Sequence, residues 1–114
     1  MNRRYRLSKS TDFKRVRRTG KSYAHPFVVL IAKENECRLL RIGVSAGKTV
    51  GNAVQRNRAK RRLRESIRTY IPCIQPEWDV ILIARKGIVD ADWSELQQAV
   101  RSLLERSKIL VKSQ

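Results

Sequence analysis

Six cations fall within the nine residues from Arg56 to Arg64: Arg56, Arg58, Lys60, Arg61, Arg62 and Arg64, with no acid among them. Like charges four apart destabilise a helix by a few tenths of a kcal/mol each, so a polyanionic partner is the economical reason to keep such a run. Residues suited to covalent chemistry are scarce. His25 is the single histidine; it precedes Pro26 and has no nucleophile beside it, which argues against Ser-His-Asp or Cys-His catalysis. Cys37 and Cys73 stand far apart without CxxC spacing, so they read as free thiols of a reducing compartment. One histidine and two scattered cysteines make no structural zinc set. Recognition, not bond-breaking by side chains, is the chemistry on offer.

The charge is unevenly placed. Residues 1–70 hold 20 of the 26 Lys and Arg against four acids, Asp12, Glu34, Glu36 and Glu65. Residues 71–114 hold six cations and six acids, so the net +16 belongs wholly to the first part. That asymmetry implies one surface facing a polyanion. A membrane surface would call for exposed Trp, Phe or Leu beside the cations, whereas Leu63 and Ile67 read as core, which favours nucleic acid. No run approaches the ~20 apolar residues of a membrane span, and the basic start lacks the apolar stretch of a secretory signal. The chain reads as cytoplasmic, with no membrane role.

A length of 114 residues suits one domain, with 1–6 as a flexible basic arm and 109–114 as a tail. The stretch from Leu7 to Gly20 predicts a short helix, capped by Ser8 or Ser10, with Asp12 in its first turn and Phe13 and Val16 on one face. Pro26–Ala32 and Cys37–Ser45 predict two strands, and the polar turn Lys33–Glu36 between them suggests an antiparallel hairpin. The segment AGKTV offers a short further strand, and Asn52 then caps a helix that runs to about Tyr70, before Pro72. Trp78–Gly87 is the clearest strand. Asp92 and Glu95 form a capping-box pattern ahead of a helix with Trp93, Leu96, Val100, Leu103 and Leu104 in one stripe. Trp78 and Trp93 are expected in or beside the core. The fold class is α+β, a sandwich of helices on a small sheet.

On the basic helix, Ala59, Leu63, Ile67 and Tyr70 share one face and would hold it on the sheet. Arg58, Arg61 and Arg68 point away, Asn57 and Arg64 flank them, and Arg56 and Lys60 lie at the edge of the stripe. A merely solvated face would interleave Glu with the cations, and only Glu65 does so. A phosphate-binding face is the better reading. Two motifs fail. GVSAGKT has three residues between its glycines where a phosphate loop needs four, and Pro72 leaves no room for the zipper that a bZIP basic region requires.

The stretch KTVGNAVQRNRAKRRLRE resembles the signature of the protein subunit of bacterial ribonuclease P, through Lys48, Gly51, Ala53, Arg56, Asn57, Lys60, Arg61 and Arg64. RLSKSTDFKRVRRTGK, PFVVL, RIGVS and WDVILIARKG match the family's other segments in order and spacing. The resemblance implies an αβββαβα domain with a four-stranded sheet and a left-handed crossover at the basic helix. It implies a role in maturing the 5′ end of transfer RNA, where the RNA subunit and its Mg²⁺ ions do the chemistry. The protein would bind that RNA and hold the single-stranded 5′ leader of precursor transfer RNA, with no protein oligomer required.

Carried onto this chain, Lys48, Arg56, Asn57, Arg58, Lys60, Arg61, Arg64 and Arg68 would face RNA. Phe13 would line the leader cleft, stacking on a base for ~1–3 kcal/mol. Arg17 stands where a second aromatic is common, and Leu30 is taken as the strand position of the cleft where a tyrosine can occur, so leader binding would lean on charge. No catalytic or metal-binding side chain is expected. A general RNA-binding protein accounts for size and charge but not for the motif spacing. A stand-alone nuclease would need a carboxylate cluster, and the C-terminal acids are scattered.

Overall fold

The computed structural model describes residues 5–7 and 9–111. Its elements are α1 (Ser10–Thr19), β1 (Lys21–Ala24), β2 (Val28–Glu34), β3 (Arg41–Ala46), α2 (Ala53–Arg68), β4 (Trp78–Ala84) and α3 (Trp93–Ser107). Single 3-10 turns follow α2 at Ile71–Cys73 and β4 at Lys86–Asp90. This is the expected αβββαβα order on a four-stranded sheet.

The hairpin expected between Pro26–Ala32 and Cys37–Ser45 does not form. The sheet order is β1-β2-β4-β3, with β4 antiparallel to β2 and parallel to β3. The late strand takes the middle because it is apolar on both faces: Val80, Ile81 and Leu82 all have no exposed surface. Such a strand needs a neighbour on each edge and cover on each face. The hairpin is instead β1 with β2, pairing Lys21 with Ala32 through to Ala24 with Val29. β1 is mostly exposed, so no apolar pattern announced it. The segment AGKTV is not a further strand: Ala46 ends β3, and the rest is a turn closed by the Val50 N–H on the Gly47 carbonyl.

Alternation along the strands divides the core. Val28, Leu30 and Ala32 of β2, Ile42 of β3, and Val80, Leu82 and Ala84 of β4 face α2 and α3. On the other face, Leu7, Val16, Ile31 and Ile81 form a smaller core under α1, with Phe13, Val29 and Ile83 half-buried around it. The helix α1 starts at Lys9 with no side-chain cap; Ser10 lies within the helix, and Ser8 lies outside the described residues. Gly20 ends it where backbones nearly touch: an added Cβ would lie 2.6 Å from the Val16 carbonyl oxygen.

Where they are described, the chain ends pack against the body of the fold. Arg6 pairs with Ile42 along the outer edge of β3, and Leu7 is buried. At the other end Ile109 is fully buried, and Gln75 and Cys73 exchange backbone hydrogen bonds with Ile109 and Val111. Residues 1–4 of the expected arm and 112–114 of the expected tail lie outside the described residues. Both expected caps form, and each is a capping box, Asn52 with Gln55 and Asp92 with Glu95. The stripe on α3 is buried from Leu96 to Leu104, but Trp93, at the first position of the helix, is 45% exposed and not in the core as expected.

Two outcomes follow from local geometry. Gly51 sits at φ +146°, and a Cβ there would lie 2.0 Å from Gln55 Oε1, inside the box that starts α2. Gly51→Ala should therefore lower stability by about 1–2 kcal/mol in urea denaturation. In the β1–β2 turn, His25 Nδ1 accepts the Phe27 N–H at 3.1 Å. Burial, and then the Arg106 cation, push His25 below its usual 6.5. The unfolded chain thus binds the proton more readily, so this contribution is present above about pH 6.5 and is lost as pH falls through the lower folded value. The denaturation midpoint should drop as the pH falls below about 6.5, and less so in His25→Phe.

Candidate nucleic-acid interface

The helix α2 presents the cations as its wheel predicts. Ala59, Leu63 and Ile67 are buried, and Tyr70 packs at the rim of the core. Asn57, Arg58, Arg61 and Arg68 are exposed, with Lys48 exposed in the turn before the helix. Arg56, Lys60 and Arg64 are half-buried along one flank. Arg68 lies 3.5 Å from Glu65, an exposed pair of small energetic weight. Burial, and then the nearby Arg6 guanidinium, push Arg64 below its usual value.

Arg62 behaves differently from the rest of the run. It turns inward and donates to the backbone carbonyls of Ile88, at 2.8 Å, and Ala91. It thereby ties α2 to the segment that joins β4 to α3. Counting cations in the sequence cannot separate this one from its neighbours. A wheel puts Arg62 on the flank opposite Arg56 and Lys60 but leaves it beside exposed Arg58, and the carbonyls it reaches lie 26 and 29 residues further on.

The other sheet face carries the rest of the expected site. Phe13 is half-buried on α1, and its ring lies over Gly43: a Cβ there would meet Cε2 at 2.9 Å. Arg17 is exposed, one turn along the helix. Leu30 does not belong to this face. It is fully buried in the core under α2 and α3, because neighbouring residues of a strand point to opposite sides. Ile31 and Val29 are the β2 residues that face α1, and Ile83 is their counterpart on β4.

Beside Phe13 lies a feature that the sequence did not disclose. Asp79, with no exposed surface, accepts from Arg41 Nε at 2.9 Å and Nη2 at 2.8 Å, and from Asn35 Nδ2 at 2.9 Å. The two-pronged bond to Asp79 raises the Arg41 guanidinium above its usual value. Asp12 of α1 contacts Arg41 at 3.3 Å, and Arg15 of α1 contacts Asp79 at 3.5 Å. The available signal was one acid inside an apolar strand, WDVILIA, which must find a partner.

This arrangement can bind a polyanion along α2 and present an aromatic ring beside α1. The carboxylates of Asp12 and Asp79 are taken up by guanidinium groups, so they do not suit a Mg²⁺ ion. Among the described residues no group of three or more His, Cys, Asp or Glu could hold a metal. No helix among them is long and apolar enough to cross a membrane.

Comparison with known proteins gives one consistent result. The family model described as Ribonuclease P matches residues 1–108. The ribonuclease P protein component of Herpetosiphon aurantiacus is 41% identical over 109 residues, covering 96% of this chain and 89% of the relative. That of Listeria innocua is 40% identical over 111 residues, covering 96% and 93%. Among solved structures, the Staphylococcus aureus RNase P protein superposes with a TM-score of 0.81 at 33% identity, covering 92% of this chain and 96% of that one. The Thermotoga maritima RNase P protein gives 0.78 at 28%, covering 89% and 96%.

The two kinds of cation on α2 should separate in mutants. Arg61→Ala should leave stability within about 0.5 kcal/mol of the parent. It should weaken RNA binding and reduce the log–log salt slope by roughly 0.7–0.9. Arg62→Ala should lower stability by about 2 kcal/mol through two lost charge-assisted bonds, with the smaller effect on the salt slope. Urea denaturation and filter binding at several salt concentrations read both.

Proposed function

As the chain belongs to the ribonuclease P protein family, we propose that it binds the catalytic RNA subunit through α2 and holds the 5′ leader of precursor transfer RNA between α1 and the sheet. The chain is thus one component of a tRNA-processing ribonuclease and works with ribonuclease P RNA. Leader removal is a hydrolysis, and in this reading Mg²⁺ bound by the RNA subunit activates the water. The protein contributes position and charge neutralisation in the cytoplasm, and no catalytic side chain.

The observation that carries the reading is the open row of Asn57, Arg58, Arg61 and Arg68 on α2, joined by Lys48 and by the half-buried Arg56, Lys60 and Arg64. Against it stands a single nearby acid, Glu65. A helix that keeps so many cations without interleaved acids gains most when phosphates supply the counter-charge. On the other face, the half-buried Phe13 ring beside exposed Arg17 suits a flexible single strand, through stacking and a backbone phosphate contact. With Arg17 in place of a second ring, and Ile31 and Val29 supplying only aliphatic surface, this cleft leans on charge.

The test is cleavage of a precursor transfer RNA at low Mg²⁺ by a bacterial ribonuclease P RNA, with and without this protein. Accurate 5′ processing that the RNA alone cannot manage is the expected result, falling off steeply as salt is raised. Binding to the RNA without any change in cleavage would leave a general RNA-binding protein as the better description.

A further inference from the structure

The first turn of α1 lacks the device that usually fixes a helix start, since Lys9 offers no side-chain cap. Four charges hold it instead. Asp12 Oδ2 meets Arg41 Nη1 of β3 at 3.3 Å, and Asp12 Oδ1 meets Arg15 Nη2 at 3.5 Å. Arg15 reaches on to Asp79 Oδ2 of β4 at 3.5 Å. Arg41 is itself locked on both oxygens of the buried Asp79. Phe13 follows Asp12 directly, and its ring rests on Gly43, two residues beyond Arg41 on the same face of β3.

We propose that Asp12, Arg15 and Arg41 are positioning residues for leader recognition: they clamp the first turn of α1 to the parallel β3–β4 pair and so set the place and tilt of the Phe13 ring. The proposal rests on the leader-cleft reading above. The Asp12 and Arg15 contacts are a pivot for the ring more than a source of stability. Asp12 and Arg15 are 26% and 41% exposed, a setting in which an ion pair adds little to stability. Orientation is another matter, because a stacking or reacting contact displaced by about 1 Å loses much of its value.

The chain has two phenylalanines, so a fluorophenylalanine-labelled protein gives two ¹⁹F resonances, and Phe27→Leu identifies the one from Phe13. Asp12→Asn keeps the size of the side chain and removes its charge. The expected result is a shifted Phe13 resonance, an unmoved Phe27 resonance and an unchanged circular dichroism spectrum. In the holoenzyme, the affinity gained by a precursor with a 5′ leader over a leaderless one should fall roughly fivefold. Affinity for the RNA subunit should stay as it was. Arg15→Gln should act in the same direction and replaces Asp12→Asn if that variant fails to fold.

A folded variant with the Phe13 resonance unmoved overturns the proposal, even if leader binding falls, since Asp12 would then act through its own charge. A shifted resonance with the leader gain intact overturns it as well. A wild-type holoenzyme that shows no leader gain removes the leader-cleft reading instead, while the ¹⁹F spectra still decide whether the clamp places the ring.

Discussion

A carboxylate with no exposed surface sits second in the central strand, and one whole side of the sheet is arranged around it. An unpaired charge at Asp79 would be far too costly to bury. The register of β3 against β4 places Arg41 directly opposite, so the pairing of the strands and the pairing of the charges select the same alignment. Asn35 completes the carboxylate shell, and its side chain also bonds the Leu39 carbonyl and the Arg38 N–H, shaping the β2–β3 loop. Losing one partner of such a buried pair typically costs about 3–5 kcal/mol. One acid thus specifies a strand register, a loop and the seat of a helix.

The opposite side of the sheet meets a different constraint. α2 must stand on the core while its outer surface repels itself, and no acid in its first turn complements the helix dipole. It is held from three directions. The capping box closes its start, the Ala59–Leu63–Ile67 stripe fixes its inner face, and Arg62 anchors one flank to backbone carbonyls. The remaining cations are then free of structural duty. The cation row of α2 and the Phe13 ring therefore occupy separate faces of the molecule, each supported by its own core.

How far the sequence was legible depended on whether a signal was local. The caps at Asn52 and Asp92, the buried stripes of α2 and α3, and the outward cations all rest on periodicity or near-neighbour spacing, and all were readable. Strand partners were not. β2 and β3 look like a hairpin because they are adjacent and apolar, and nothing local says that a strand more than 30 residues later will part them. β1 was missed because an exposed edge strand needs no apolar alternation. The misplacement of Leu30 was a slip of one residue, enough to reverse the face it serves. Arg62 and Asp79 were hidden for the same reason as the strands, since their partners lie 26 and 38 residues away.

The central place of β4 also has a consequence in time. A chain made from its N-terminus releases residues 1–70, with all of the +16 charge, before the strand that joins β2 to β3 exists. Neither core can close until residue 84 has emerged, because both use side chains of β4. During that interval the nascent chain is an open polycation beside the RNA of the ribosome that makes it. Its final strand therefore does more than complete a sheet: it converts an open, strongly cationic segment into a surface of fixed shape.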